Sequence, residues 1–394
     1  MAKKVDNVRE ERIKGICAAI NKSPFGGEEH DAVTWLGSRE PIELERFSSG
    51  CEELDEALGG GWPKGRFIEV FGPESGGKTT LVLHAIAEHQ KKYPNEEVGL
   101  VDVEFSFDED YATKLGVNTK YLIVNQPSSG KQALNVTRQL ILAGVKLIVF
   151  DSVAALTTEN EMEADLGDQK MAEQARMMSP ALRALTSEAG PRKVTIFFTN
   201  QVREKIGIMY GDKTTTPAGK ALKHYASIRA QISRIGTVKE KIDGEDVVVS
   251  AKTKVDIKKN KTAAPFRKAE FCISFGHGID KVAAVLDAAI TLGVIEKRGA
   301  YLAFDGVQLG QGRAVVMEMM RTDEELFKKV TEFVVAAKVS GKKSEDGEEK
   351  TKSMKRPSFS KRGSSKDDAD EPEEVEDGKV IEVEAAEEAT VVDV

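Results

Sequence analysis

Cysteine is scarce in this chain of 394 residues: Cys17, Cys51 and Cys272 are odd in number and far apart. That pattern argues against a disulfide framework or a cysteine metal cluster and suits a reduced compartment. The five histidines are scattered, so no zinc site is expected. No apolar run approaches the ~20 residues that span a bilayer, so no membrane association is expected. The opening MAKKVDNVREER is charged with no apolar stretch behind it, so no signal peptide is expected and the protein reads as cytoplasmic. From about Ser340 aromatic residues are almost absent, while Lys, Ser and Gly and then acidic residues dominate. Such a composition cannot bury enough surface to order itself, so residues 339–394 are expected to be disordered.

The length suggests two or three domains. The formal net charge of −8 is unevenly spread: residues 367–394 hold 13 acidic groups and one Lys. The rest of the chain is mildly basic, which permits a polyanionic partner.

The stretch with the strongest chemical content is Phe67 to Thr80, FIEVFGPESGGKTT. A β-rich apolar run leads into a Gly-rich turn, and LVLHAIAEHQ after it reads as a helix. Gly72-x4-Gly77-Lys78-Thr79 is a complete Walker A pattern in a strand–loop–helix setting. Glycines let the backbone approach phosphates, and the N–H groups of the loop and helix start present partial positive charge. Gly72, Pro73, Glu74, Ser75, Gly76, Gly77, Lys78, Thr79 and Thr80 are therefore assigned to a nucleotide-binding loop. In it Lys78 reaches the β/γ-phosphates and the Thr79 hydroxyl holds Mg2+. The competing reading is a Gly-rich structural turn.

Taken in order, residues 8–22 read as an amphipathic helix with Ile13, Ile16, Ala19 and Ile20 on one face. It docks either on this chain or on a neighbouring subunit. Residues 23–65 are loop-rich, and Ser48 to Asp55 resembles a capped helix start. Strands are predicted at Glu97–Val103, Tyr121–Val124, Lys146–Asp151 and Val194–Thr199, with helices at 108–116, 130–144 and 169–189 between them. This alternation predicts an α/β fold with a mainly parallel sheet between helices. Ligands then sit at the carboxyl ends of the strands, where Glu104, Asp151 and Gln201 fall beside the Gly-rich loop. Residues 228–238, 247–259 and 268–275 read as strands of antiparallel style. A small α+β region follows, with helices at 281–293 and 323–338.

Asp151, at a strand end next to Ser152, either joins the Mg2+ shell or caps the following helix. Glu104 either orients or deprotonates an attacking water or is a surface carboxylate at a strand end. The Gln201 amide either senses a γ-phosphate or is an ordinary strand-end group. Tyr111 either stacks on a base or packs. The reaction these residues support is hydrolysis of ATP with Mg2+.

Many short segments point further: GPESGGKTT, VDVE followed by FDEDYATKLGV, QPSSGKQAL, IVFDSVAAL, ARMMS, TNQVREKIGIMYG, TTTPAGKALKHYAS, KKNKTAAPF, and GVIEKRGAY with LGQGR. Together, in order and spacing over residues 45–335, they resemble the bacterial RecA recombinases, in a divergent form. The resemblance implies a RecA-type ATPase core with DNA-binding loops over residues 46–278. It adds an N-terminal oligomerisation segment over 1–45, a DNA-capture α+β domain over 279–338 and the tail. It also implies a homo-oligomeric helical filament on single-stranded DNA, ATP at subunit interfaces, and pairing with double-stranded DNA. On this resemblance Glu104 is the catalytic glutamate, Asp151 the Walker B acid and Gln201 the γ-phosphate sensor. Asp108 and Tyr111 contact adenine. Lys259 and Lys261 reach a neighbour's ATP in trans, as an arginine finger does.

Two loops would face DNA, Glu161–Met171 followed by Arg176, and Val202–Lys220. Arg176, Arg203 and Lys205 would neutralise phosphates, and Met171, Ile206 and Met209 would wedge between bases. Gly207, Gly211 and Gly219 would supply backbone amides and freedom, and Tyr210 belongs to the same loop. Lys297, Arg298 and Arg313 match basic positions that capture incoming duplex, or else form a solvated charged face. The chain departs from the family pattern at Gly76, at Phe105-Ser106-Phe107, at Lys170, at Pro217-Ala218 and at His224. The acidic tail either competes with DNA or only solubilises.

Overall fold

The computed structural model describes residues 2–23, 33–38, 44–157, 171–204, 214–217, 220–242 and 245–337. The expectations for the tail, for residues 158–170 and for residues 205–213 fall outside them.

The described residues hold sixteen strands, numbered along the chain. Six make the parallel part of the main sheet: β3 (Phe67–Gly72), β4 (Val98–Asp102), β5 (Leu122–Asn125), β6 (Leu147–Asp151), β7 (Thr195–Gln201) and β10 (Ile228–Ile242). Then β11 (Glu245–Asn260), β12 (Lys268–Ser274) and β13 (Gly278–Ile279) extend it antiparallel, in the order β13-β12-β11-β10-β3-β7-β6-β4-β5. Buried parallel strands carry apolar residues on both faces, which is why β3, β4, β6 and β7 appear as continuous apolar runs. Alternate side chains feed two cores. Ile68, Val70 and Phe197 pack with the helix Lys78–Lys92 on one face. Phe67, Ile196 and Phe198 pack with the helices Gly130–Leu142 and Met171–Arg192 on the other. Phe197 meets Trp62 edge-on at 5.1 Å and Phe47 at 6.4 Å, so truncating it to Ala costs about 3–5 kcal/mol.

β10 differs from its antiparallel expectation in one respect. It pairs antiparallel with β11, but also parallel with β3, with Gln231 opposite Phe71. The antiparallel extension is thereby fused to the nucleotide-loop strand.

At the amino end, the helix Ala2–Asn21 starts earlier than expected, and Ile16 and Ile20 on its apolar face are exposed. Asn21 exchanges two hydrogen bonds with the backbone of Val33, folding the chain back on this helix. The helix Glu52–Leu58 begins after Cys51 with no side-chain cap. The helix start expected within Ser48–Asp55 is therefore present, but without the expected cap. The Asp55 carboxylate accepts from Ser48 Oγ at 2.6 Å and Ser49 N–H at 2.7 Å, holding the approach to the helix.

A third core joins the helices Lys281–Thr291 and Arg313–Thr322, the strands β14 (Ile295–Arg298), β15 (Tyr301–Phe304) and β16 (Val307–Gln311), and a last helix over 324–337. The helix Arg313–Thr322 is one more than expected. Two contacts tie this region to the Lys78–Lys92 helix. His84 Nε2 accepts from Ile279 N–H at 2.8 Å, and Lys281 pairs with Glu88 at 2.8 Å.

Candidate functional site

The Gly-rich loop leaves β3 near the middle of the sheet and ends on the helix Lys78–Lys92. Two glycines are sterically required. A Cβ on Gly72 would lie 2.0 Å from the Ile232 carbonyl oxygen. Gly77 has a φ of +93°, and its Cβ would meet Ile273 Cδ1 at 2.6 Å. Neighbouring strands thus press the loop from one side, leaving its amides and the helix N-terminus toward a cleft of about 360 Å3. Glu74 through Thr80 line that cleft together with Glu104, Tyr111, Asp151 and Gln201.

Thr79 Oγ1 donates to Asp151 Oδ2 at 2.8 Å, and Thr199 Oγ1 donates to the other carboxylate oxygen. Asp151 is buried, and desolvation pushes its carboxyl above the usual range against the pull of these two hydroxyls. A hydroxyl and a buried carboxylate are hard oxygen donors, a set that fits Mg2+. Lys78 Nζ donates to the Pro73 carbonyl at 2.8 Å and lies 3.4 Å from that of Gly72. Burial pushes its ammonium below the ordinary lysine range, opposed by Asp151, Glu104 and Glu74.

Glu104 follows β4 and is exposed. Its Oε1 accepts from Ser152 Oγ. The turn after it is held by Asp102, whose carboxylate accepts from Ser106 N–H at 3.2 Å, Phe107 N–H at 3.0 Å and Gln126 Nε2 at 3.0 Å. Tyr111 shares a 2.8 Å hydrogen bond between its hydroxyl and that of Thr80. Asp108 caps the helix Glu109–Lys114, accepting from Tyr111 N–H at 2.9 Å. On the opposite side the cleft is closed by Arg234, Ile273, Phe275 and Gly276.

Gln201 ends β7, and Val202 N–H reaches the Gly72 carbonyl at 3.2 Å, so the segment leaving Gln201 touches the loop's first residue. Two residues on, β8 (Arg203–Glu204) pairs with β9 (Thr214–Thr215). Arg176 and Arg203 are exposed, and Met171 opens the helix Met171–Arg192. Lys205, Ile206, Gly207, Met209, Tyr210 and Gly219 lie outside the described residues.

Neither Lys259 nor Lys261 lines this cleft. Lys259 Nζ instead donates to the carbonyls of Lys223 at 2.6 Å and His224 at 3.1 Å, at the end of the helix Ala221–Tyr225. Burial, then Lys261 and Arg229, push its ammonium below the ordinary range. Of the basic trio in the last region, Lys297 and Arg298 are exposed on β14. Arg298 pairs with Glu296, and Arg313 makes a two-armed pair with Asp287 at 2.9 and 2.8 Å.

Sequence reasoning missed Asp102, Ser152 and Thr199 as supports and Phe275 and Arg234 as cleft wall. Asp102 and Thr199 carried the same strand-end signal as the residues beside them. Phe275 and Arg234 carried none, since only sheet pairing brings them near the loop.

A Gly-rich loop between a central strand and a helix, converging with a lysine, a hydroxyl and a buried strand-end carboxylate, defines a P-loop nucleotide-binding protein of the α/β class. Comparison with known proteins narrows this. The RecA N-terminal domain matches residues 12–280 and the RecA C-terminal domain residues 283–338. Protein RecA of Chloroherpeton thalassium is 44% identical over 347 residues, 86% of this chain and 95% of that protein. Protein RecA of Zymomonas mobilis is 46% identical over 328 residues, covering 83% and 90%. The chain belongs to the RecA family, and is a DNA-dependent ATPase and recombinase of recombination and DNA repair. No helix among the described residues is long and apolar enough to cross a membrane.

Proposed function

We infer that this protein binds ATP with Mg2+ at the seam between protomers of a helical filament on single-stranded DNA. There it hydrolyses ATP and pairs the bound strand with homologous duplex. The observation that carries the reading is the position of Gln201. It lines the cleft, and two residues later β8 opens the segment that leads to the second DNA loop.

In this reading the loop amides and Lys78 bind the triphosphate, with Lys78 leaving the carbonyls of Gly72 and Pro73. Thr79 and Asp151 would hold Mg2+, which supplies neutralisation of phosphate charge when bound. Glu104, oriented by Ser152, takes a proton from the attacking water as the water oxygen bonds to the γ-phosphorus and the bond to the β-phosphate oxygen breaks. Tyr111 and Phe275 wall the space for the base. Gln201 contacts the γ-phosphate and passes its presence to the loop that begins beside it. Lys259 and Lys261 do not line their own protomer's cleft, which supports action on a neighbour's nucleotide. The exposed Ile16–Ile20 face supports docking of the first helix on that neighbour. Arg176, Arg203, Lys205 and the rest of the two loops take the single strand. Lys297, which pairs with no acidic residue among the described residues, leads capture of duplex, with Arg298 and Arg313 partly neutralised by their carboxylates.

The test is ATP turnover with and without single-stranded DNA, alongside a D-loop assay with ATP, a non-hydrolysable analogue and no nucleotide. DNA-stimulated turnover that falls about 10²–10⁴-fold in Glu104→Gln, with DNA affinity that drops steeply with salt, is the expected result. Turnover indifferent to DNA at every salt concentration overturns the reading.

A further inference from the structure

The chemistry above leaves Glu69 without a role, although it lies three residues before Gly72 and is fully buried. A buried carboxylate is costly unless paired and hydrogen-bonded, and here both oxygens are engaged. Arg229 of β10 donates its Nε to Oε2. Asn200 of β7 donates Nδ2 to Oε1 at 3.2 Å. Asn200 is itself fully buried, and its Oδ1 accepts the backbone N–H of Gln201 at 3.0 Å. The Arg229 guanidinium lies over the Phe71 ring at 4.3 Å, next to the first residue of the Gly-rich loop.

The network also has a far end. Arg229 is register-paired with Lys259, whose ammonium holds the last carbonyls of the helix Ala221–Tyr225, beyond the second DNA loop. One buried cluster therefore touches the strand entering the phosphate loop, the sensor residue and the strand whose lysine holds the DNA loop's return. Apolar residues of like volume would stabilise such a spot as well or better. What a charged network adds is a single allowed arrangement, because a displaced member leaves an unpaired buried charge.

We propose that Asn200, Glu69 and Arg229 are positioning residues that fix the orientation of Gln201, so that the state of the nucleotide reaches the DNA loop. The proposal rests on the reading of Gln201 as the γ-phosphate contact. The measured quantity is a ratio in the full chain: affinity for fluorescent oligo-dT with a non-hydrolysable ATP analogue over affinity with ADP. Glu69→Gln keeps the shape and removes the charge. It should lower the ratio about tenfold, the factor expected from one lost hydrogen bond to a charged group, with the ADP-state affinity unchanged within about twofold. Asn200→Ala leaves the Glu69–Arg229 pair intact and should lower the ratio likewise. It decides the matter if Glu69→Gln does not fold. A ratio kept within about twofold in the folded variants, even with a lower melting temperature, means the network is only structural and overturns the proposal. Gln201→Ala separates the two layers. A ratio retained there overturns the sensor reading and the proposal with it. A ratio lost there but kept in Glu69→Gln and Asn200→Ala overturns the proposal alone.

Discussion

Asp102→Asn tests whether Glu104 is aimed by the turn beneath it. Asp102 is 2% exposed, and the turn it holds contains Phe105 at a φ of +56°. A non-glycine residue in that left-handed region costs about 1–2 kcal/mol. Each hydrogen bond to a charged acceptor is worth about 1.5–3 kcal/mol, so the bonds to Ser106 and Phe107 together outweigh the strain. Asparagine keeps one acceptor oxygen and turns an NH2 group toward a backbone N–H, while the Gln126 amide can flip to follow it. One bond lost and one buried N–H left facing a donor remove about 3–4 kcal/mol, which turns a margin of about 1–2 kcal/mol into a deficit of about 2 kcal/mol and leaves a few per cent of protomers with Glu104 in place. Steady-state ATPase on single-stranded DNA at saturating Mg2+ should show kcat down about 10–100-fold. KM for ATP should hold within about threefold, because Lys78, Thr79 and Asp151 stand on other elements. A folded Asp102→Asn protein with kcat within about twofold of the parent refutes the reasoning.

Three further outcomes are expected. Thr79→Val removes the hydroxyl bonded to Asp151, so half-maximal activity should need at least about tenfold more Mg2+ in a metal titration. Because burial raises the Asp151 carboxyl and metal binding needs it ionised, the parent's Mg2+ requirement should climb as pH falls, starting above the range of a surface carboxylate. Gly77→Ala places a Cβ at a positive φ and 2.6 Å from Ile273 Cδ1, so calorimetry should detect no ATP binding and a lower melting temperature. Burial pushes the His84 imidazole down to about 4 from 6.5, so below pH 6.5 the unfolded chain binds a proton that the folded chain refuses, and stability falls as pH falls. At pH 5 the loss is about 2 kcal/mol, and urea melts of His84→Gln, which keeps an acceptor for the Ile279 N–H, should lack that part of the slope.

How much of this was legible in the chain depends on the range of the interaction concerned. Buried parallel strands announce themselves locally, as in Leu147–Asp151, and a carboxylate at a strand end is readable one residue at a time. Glu104, Asp151 and Gln201 were placed beside the loop for that reason, and all three line its cleft. The parallel pairing of β10 with β3 is a contact between distant segments and left no local mark. The helix Arg313–Thr322 was missed because Gly310 and Gly312 punctuate its approach, and its stripe of Val316, Met317 and Met320 is short. Around Ser48–Asp55 the helix start was legible from the residue types, but not which group would cap, since serine and aspartate can each serve the other. Basic residues were visible in the sequence, but not their neutralisation: Asp287 lies 26 positions from Arg313.

The two fastenings on the Lys78–Lys92 helix have a mechanical consequence. His84 and Glu88 are one turn apart on the same face, and they grip Ile279 and Lys281 at the threshold of the last region. A helix rises about 1.5 Å per residue, so the grip lies roughly 9 Å from the end that meets phosphate. The helix is a short stiff rod, so a tilt begun at its N-terminal end cannot be absorbed along the way and is carried to Ile279 and Lys281.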